Sequence, residues 1–346
     1  MNTQKIYLLL VIQICLTPLI FAQKKNPLKD TLKVSKLFKK QTELHIKLNY
    51  SISDLKKNKS DSIYIKTTLS YKDKKQEWHN IPIEIRARGN FRREKCYFSP
   101  VKIKIKKAAA KGTLFKGNKK LKLVLPCSLT KDKNDNVLKE YMAYKFYEII
   151  SKYHFKTRLV AISLTEIKGK KTKQHKIIGI LIEDAKKVAN RHHGKIVKRA
   201  INPMAQDALS STRNAFFQFM IGNVDFSIAK QHNAKLLFIN KKIISVPYDF
   251  DMSGLINPSY AVPSLNMTHI TQRKYRGVKR YIGVMTQVRN EFIKNKNSIE
   301  NIVNSLESKF ENKSEFKEAK AYIYSFYQIL LNDKKYKNEI IEQMRY

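Results

Sequence analysis

Apolar and polar residues alternate along much of the first half of the chain. A period of two is the pattern of a strand with one buried face, and lysines hold most of the polar positions. Five such stretches begin at Glu43, Ser62, Ile81, Val101 and Leu121. Two further strands are predicted over residues 158–167 and 176–182. The first half of the chain is therefore predicted to be a sheet.

Apolar residues at helical spacing predict the remaining elements. Residues 136–153 are predicted to form one helix that packs on the sheet, and residues 208–221 a buried helix further on. The tail beyond residue 271 alternates apolar clusters with charged pairs and is predicted to form several helices. The predicted fold class is α+β, with a β-rich N-lobe carrying one helix over residues 41–184 and a mostly helical C-lobe over residues 185–346.

The amino terminus has the three regions of a secretory signal peptide. Residues 1–22 contain Lys5, an apolar run over residues 6–21 and a small residue before the expected cut. The apolar run is shorter than a typical membrane span, although an uncleaved anchor is the alternative. The lysine-rich residues 23–40 are predicted to be a flexible leader. The protein is therefore expected to be exported, to the periplasm, the cell envelope or the medium.

Export determines how the cysteines are interpreted. Cys15 leaves with the signal peptide, and Cys96 and Cys127 then enter an oxidising environment. We predict a disulfide between them, with two separately buried thiols as the alternative.

Positive charge dominates the composition. The chain has 69 Lys+Arg against 28 Asp+Glu, a formal net charge of +41. Only 13 of the basic residues are arginines, and the lysines are spread over nearly every predicted element. A surface that grips nucleic-acid phosphates usually clusters its charge and uses more arginine, so no specific nucleic-acid partner is expected. The charge is interpreted as a solvated lysine-rich surface, with an anionic polymer or membrane surface as the alternative partner.

A group of scarce acidic residues predicts a metal site. Asp225 follows the buried helix, Asn233 starts a strand, and Asp249 and Asp251 come at the end of a hydrophobic strand. In a strand, residues two apart share one face, so both aspartates are predicted to point at one site. Carboxylate and amide oxygens suit Mg²⁺ or Mn²⁺. The alternative is that these residues cap turns or pair with lysines.

Several short motifs of the chain resemble a known family. They are Gly222-Asn-Val-Asp with a following His-Asn, Tyr-Asp-Phe-Asp at 248–251, Arg86-Ala-Arg-Gly-Asn-Phe-Arg-Arg, and Pro100-Val-Lys-Ile-Lys. Over residues 80–265 the chain is similar to the spore-coat protein H (CotH) family of kinase-like proteins, and more distantly to HipA-type atypical kinases. The resemblance implies a bilobal protein-kinase-like fold that binds ATP and a divalent metal.

The same resemblance implies roles for individual residues. Asp225 corresponds to the catalytic-loop aspartate, Asn233 to the metal-binding asparagine, and Asp249, with Asp251, to the aspartate of the DFG-like position. The spacing from Asp225 to Asn233 is longer than in ordinary protein kinases, and Asp251 replaces the glycine of that triplet. These two departures favour a pseudokinase as an alternative.

Nucleotide contacts are predicted from the β-rich half. Phosphoryl transfer needs a cation near the α- and β-phosphates that pairs with a helix carboxylate. Lys102 and Glu140 are predicted to form that pair, with Lys104 or Lys122 as substitutes. No glycine-rich phosphate loop is present in the sequence, and Arg88, within a cluster of four arginines, is predicted to cradle the phosphates instead. Glu183 is predicted to lie at the hinge that faces the adenine.

Two functions are therefore expected from the sequence. The first is an exported phosphotransferase that uses ATP and Mg²⁺ or Mn²⁺ to phosphorylate a protein or a cell-envelope glycan. The second is a pseudokinase, or a basic non-catalytic envelope protein that binds an anionic polymer or surface.

Overall fold

The computed structural model describes residues 34–57, 62–89, 91–129 and 133–345, and these form one compact unit. The predicted signal peptide, the leader up to residue 33 and Asn90 lie outside the described residues. The last part of the predicted leader is described. It contains helix α1, Lys36–Lys39, whose Leu37 and Phe38 are buried in the core of the adjoining barrel.

Seven strands form a closed barrel. They are β1 Leu44–Tyr50, β2 Ile65–Lys72, β3 Trp78–Ala87, β4 Val101–Lys104, β5 Lys120–Val124, β6 Thr157–Lys168 and β7 Lys171–Glu183. Their order around the barrel is β1-β2-β3-β4-β5-β7-β6. Neighbours are antiparallel except β1 and β6, whose parallel pairing closes the barrel. The predicted strand alternation is confirmed on β1, where buried and exposed residues alternate along all seven positions.

The predicted bilobal protein-kinase-like fold with a one-helix N-lobe is wrong. The first half of the chain is a closed mixed barrel, and its described residues carry five helices. They are α1, α2 Ile52–Lys57, α3 Phe91–Lys95, α4 Lys107–Ala110 and α5 Lys133–Ile150. Only α5 was predicted, because the other four span at most six residues and are too short to show a helical period. Alternation identifies the buried face of each strand but not its partners, so barrel closure left no sequence signal.

Helices and a smaller sheet make up the second half. The α-helices are α6 Ala185–Arg191, α7 Ala208–Met220, α8 Met285–Lys294, α9 Lys296–Ser305, α10 Lys313–Leu330 and α11 Asp333–Tyr336. The sheet has the order β10-β9-β8 and contains β8 Lys195–Val197, β9 Ala234–Ile239 and β10 Lys242–Pro247. Shorter turns of 3₁₀- or π-helix are Pro203–Ala205, Lys279–Val284, Glu307–Lys309 and Lys337–Ile341.

Side-chain caps and apolar faces fix the helices of the second half. Asp207 caps α7 by accepting a hydrogen bond from the Ser210 backbone N–H, and Asn312 caps α10 in the same way through Ser314.

One core fills the barrel. A second core joins α5 to α7, α8, α9 and α10, so α5 connects the barrel to the helical half of the unit.

The predicted disulfide is confirmed. Cys96 and Cys127 are bonded, with their Cα atoms 4.4 Å apart, and the Tyr97 backbone N–H donates to the Cys127 carbonyl at 2.7 Å. The bond joins the end of α3 to the segment after β5. Disulfides persist in oxidising compartments, so this bond indicates that the protein works in one.

No helix within the described ranges is both long enough and apolar enough to cross a membrane.

Removing the disulfide should destabilise the protein by about 3.5 kcal/mol, because the crosslink restricts the unfolded chain over 31 residues. Urea denaturation of a Cys96→Ser/Cys127→Ser variant, compared with the oxidised native protein, measures this difference. The two proteins should become similar when the native protein is reduced. Equal unfolding midpoints under oxidising conditions would contradict the prediction.

Candidate functional site

The site is built where the smaller sheet ends and its strands lead into loops. Ala234 and Pro247 form the last register pair of β9 and β10, and beyond it the Tyr248 backbone N–H donates to the Asn233 carbonyl at 3.0 Å. Asn233 and Asp249 both have left-handed backbones, with φ of 49° and 65°. Asn and Asp tolerate this conformation better than other non-glycine residues. The sheet register therefore places the segments that carry Asn233 and Asp249 side by side.

Asp249 and Asp251 do not share a strand face. β10 ends at Pro247, before either residue, and Phe250 between them is fully buried. The left-handed turn at Asp249 redirects the chain, so the two carboxylates contact different groups, described below.

Asp225 is held by its two predicted neighbours in the loop. His232 Nε2 lies 2.9 Å from Asp225 Oδ1, and the Asn233 amide donates to Asp225 Oδ2 at 3.0 Å and to the Asp225 carbonyl at 2.7 Å. The Asp225 side chain remains 44% exposed. The structure thus brings Asp225 and Asn233 together and leaves the carboxylate accessible to a ligand.

Arg276 fixes the loop around Asp225, and sequence reasoning missed it. Its guanidinium donates to the carbonyls of Val224 and Phe226, the two residues that flank Asp225. It also lies over the Phe226 ring, 4.9 Å from the centroid. The scarcity of arginine in this lysine-rich chain was the one available signal that Arg276 has a specific role.

Asp249 lies among cations on the barrel side of the site. Arg88 Nη2 donates to Asp249 Oδ2 at 3.0 Å, and the Asp249 backbone N–H donates to the Tyr144 hydroxyl on α5 at 2.9 Å. Burial acts to raise the pKa of Asp249, but Arg88 and Lys122 outweigh it and lower the pKa below its usual value. Arg88, predicted to contact phosphate, therefore meets a predicted metal ligand directly.

Lys122 is the lysine that the structure places beside Asp249. Its Nζ atom is buried, has no hydrogen-bond partner among the described residues, and lies 3.6 Å from the centroid of the Tyr248 ring. Burial, together with Arg88, lowers the pKa of Lys122 well below its usual value. Lys235 also lies over Tyr248, at 5.6 Å. Arg88 and Lys122 thus act directly on Asp249, and Lys235 lies close to both of these basic residues.

Lys102, the first-choice lysine, is the register partner of Lys122. Arg86, Lys102 and Lys122 lie in one cross-strand row over β3, β4 and β5, on the outer face of the barrel. Lys104 is an exposed residue whose ammonium pairs with Glu84 at 2.9 Å. Of the three lysines named from the sequence, Lys122 is therefore the one whose ammonium is buried and without a hydrogen-bond partner among the described residues.

Glu140 pairs with an arginine instead of the predicted lysine. Arg92 Nη1 lies 3.5 Å from Glu140 Oε2, and Arg92 Nε lies 3.6 Å from Asp251 Oδ2. The Tyr260 hydroxyl donates to the same Asp251 oxygen at 3.3 Å. Burial, opposed by Arg92, raises the pKa of Glu140 to about 8. These side chains line a cavity of about 290 Å³.

Glu183 is part of a buried ion pair. Its carboxylate receives two hydrogen bonds from Arg191, at 2.6 and 2.8 Å, and one from the Lys156 backbone N–H at 2.6 Å. Its own backbone N–H donates to the Lys156 carbonyl. The Glu183 carboxylate and its backbone N–H are therefore both engaged within the protein.

The predicted metal ligands do not form one compact carboxylate cluster. Within the described ranges, the only set of three carboxylate, imidazole or thiol groups with ligand atoms within 4.8 Å of one another is Asp73, Glu77 and His79. Asp73 there caps the β2–β3 turn through the backbone N–H groups of Lys75 and Glu77. Asp225, Asp249 and Asp251 therefore do not have ligand atoms within 4.8 Å of one another, although burial and both other carboxylates act to raise the pKa of Asp251. Asp249 and Asn233, on adjacent segments, are the pair whose oxygens suit a hard divalent cation.

Comparisons with known proteins add no assignment to this geometry: no protein-family model and no curated protein matches the chain.

The buried pair predicts a structural role for Glu183. Replacing Glu183 by Gln leaves Arg191 as an uncompensated buried charge and should lower the free energy of unfolding by about 3 kcal/mol. Urea denaturation measures the change, with Glu307→Gln as an exposed control that should leave stability unchanged. Unchanged stability combined with lost nucleotide binding would instead support the predicted contact with adenine.

His192, next to Arg191, predicts an acid-dependent loss of stability. Burial, with Arg191 nearby, lowers the pKa of His192 to about 4. The unfolded chain takes up this proton near pH 6.5, so it binds more protons than the folded chain between these values. Stability contributed by neutral His192 is therefore present above pH 6.5 and is lost as the pH falls through this window.

Chemical denaturation of a His192→Asn variant between pH 7 and pH 4.5 tests this effect. The variant should lose about 1 kcal/mol less stability than the native protein over that range, since solvent screens a half-buried group. His193→Asn, at the exposed neighbouring position, should follow the native protein. An equal loss of stability in all three proteins over this pH range would contradict the assignment of the effect to His192.

Proposed function

We propose that this protein is an exported phosphotransferase that uses ATP and Mg²⁺ or Mn²⁺ to phosphorylate a hydroxyl of a protein or cell-envelope glycan. The single observation that carries the proposal is the buried Lys122 ammonium beside Arg88 and Asp249, which has no hydrogen-bond partner among the described residues. A buried cation without a partner is costly unless an anion binds next to it.

The charge balance around Asp249 supports a polyphosphate ligand. Arg88 and Lys122 both act on Asp249, and Lys235 lies near Arg88 and Lys122, so basic groups are in excess here. Burial and Arg88 disfavour the charged form of Lys122, and an anion bound beside it would favour that form again. Lys102 lies directly opposite Lys122, and like charges in that position destabilise a sheet. A phosphate chain along this row would neutralise both the excess and the repulsion.

The metal is assigned to Asp249 and Asn233. Arg88 holds Asp249 through Oδ2, and Oδ1 receives no hydrogen bond from the described residues. When bound, a divalent cation spreads the charge of the transferring phosphoryl group. Arg88 then keeps the carboxylate oriented and ionised.

Asp225 is assigned the role of base. His232 and Asn233 hold its carboxylate, and its exposure leaves room for an acceptor hydroxyl. A positioned carboxylate accelerates such a transfer by accepting the hydroxyl proton. The disulfide in an oxidising compartment and the predicted signal peptide support a location in the periplasm, the cell envelope or the medium.

The alternative is a non-catalytic, basic envelope protein that binds an anionic polymer or membrane surface. One observation favours it: the ion pair between Arg88 and Asp249 neutralises the carboxylate that a metal needs. In that case the row of Arg86, Lys102 and Lys122 on the outer face of the barrel binds phosphates or other anions without a metal.

A matched pair of lysine variants tests the proposal. The full chain is incubated with labelled ATP, Mg²⁺ or Mn²⁺ and casein as a model acceptor, and thermal stabilisation by ATP is measured in parallel. Lys122→Met should abolish the stabilisation, whereas Lys104→Met should retain it because Lys104 pairs with Glu84 at the surface. Asp225→Asn should keep nucleotide binding and reduce label transfer, including autophosphorylation, by at least about 100-fold.

Two results would contradict the proposal. Equal ATP stabilisation of the Lys122→Met and Lys104→Met variants would remove Lys122 from the site. Salt-sensitive binding to heparin that needs no metal, together with no label transfer by the native protein, would support the non-catalytic alternative.

A further inference from the structure

A polar cavity lies beside Asp251, and Asp249 is not among the residues that line it. It has a volume of about 290 Å³ and is enclosed by α3, α5 and the loop from Asp251 to Tyr260. Three charged side chains, each more than nine-tenths buried, line it: Arg92, Glu140 and Asp251. Such a set of buried charges around an open space indicates a built site.

The lining has unused hydrogen-bonding capacity. Arg92 donates through Nη2 to the Leu125 carbonyl, but its Nε and Nη1 atoms have no hydrogen-bond partner among the described residues. Glu140 Oε1 is also buried and has no hydrogen-bond partner among the described residues. The ion-pair distances of 3.5 and 3.6 Å from Arg92 are too long for good hydrogen bonds. Leaving such groups unsatisfied is costly, so a polar molecule is expected between them.

The arrangement of charges selects the chemistry of that molecule. An anion at Arg92 would meet the Asp251 carboxylate, and a cation at that carboxylate would meet Arg92. Glu315 at the cavity wall is already paired with Lys139 at 2.6 Å. A neutral hydroxyl avoids both repulsions, because one oxygen can accept from the guanidinium while its proton is donated to a carboxylate.

We propose that this cavity binds a small neutral molecule rich in hydroxyl groups, a monosaccharide or a short polyol. The volume is at the lower limit of typical ligand pockets, which suits one sugar ring and is too small for a nucleotide. Asn136, Asn257 and Ser259 add polar groups around the opening. The proposal stands apart from phosphoryl transfer, since it requires neither nucleotide nor metal.

Saturation-transfer difference NMR on the full chain, without nucleotide or metal, tests the proposal. The probes are D-glucose, N-acetyl-D-glucosamine and ribitol, with methylammonium as the cationic comparison; inorganic phosphate is tested by calorimetry. At least one neutral probe should receive saturation, with little dependence on salt, and the two charged probes should not bind at this cavity.

A matched pair of tryptophan variants locates the binding. Ser259→Trp fills the opening and should reduce the saturation transfer to background, while Ser264→Trp, exposed on the same loop but outside the cavity lining, should preserve it. Both positions are exposed, so both variants are expected to fold, which thermal unfolding checks. Undiminished transfer in Ser259→Trp, no transfer to any neutral probe in the native protein, or binding of phosphate or methylammonium that Ser259→Trp removes would each overturn the proposal.

Discussion

The parallel pairing of β1 with β6 is the constraint on which the rest of the structure depends. It closes the seven-stranded sheet and leaves no edge strand, so each barrel strand has one face towards the core and one towards the outside. Ile103 and Leu121 point inwards and are fully buried, and their neighbours Lys102 and Lys122 are therefore held on the outer face. Of the basic residues at the candidate site, Lys102 and Lys122 are thus positioned by barrel strands and not by a loop.

Helix α5 converts this barrel into a support for the second half of the protein. It packs in the larger core with α7, α9 and α10, and it contributes polar side chains to both sites. Tyr144 accepts a hydrogen bond from the Asp249 backbone, while Glu140, one turn earlier, faces the cavity. One rigid helix thus sets the spacing between the cation-rich site and the polar cavity.

Local features of this protein could be predicted from its sequence, but its long-range pairings could not. Alternation identified the barrel strands, helical spacing identified α5 and α7, and the expectation of export led to the disulfide between Cys96 and Cys127. The grouping of Asp225 with Asn233 was also accessible, because the two residues lie on one short loop. Barrel closure could not be predicted from the sequence, because β1 and β6 are distant along the chain and alternation does not encode their register.

The separation of Asp249 from Asp251 shows the same limit at the scale of single residues. A strand pattern places both side chains on one face, whereas the left-handed backbone of Asp249 ends that pattern. Which of 56 lysines would be buried beside Asp249 depended on the packing of Tyr248 and Phe155 over Lys122, and the Tyr248 contact spans more than 100 residues. Arg92 acquired its role from a similarly distant contact with Asp251, and Arg276 from contacts 52 and 50 residues away.

The disulfide has a consequence for the timing of assembly. Cys96 immediately follows the helix that carries Arg92, and Cys127 comes shortly after the strand that carries Lys122. The bond therefore fastens together the two segments that supply cations to the two sites. While the two cysteines are reduced that crosslink is missing, so these two segments are fastened to each other only once the chain has met an oxidising environment.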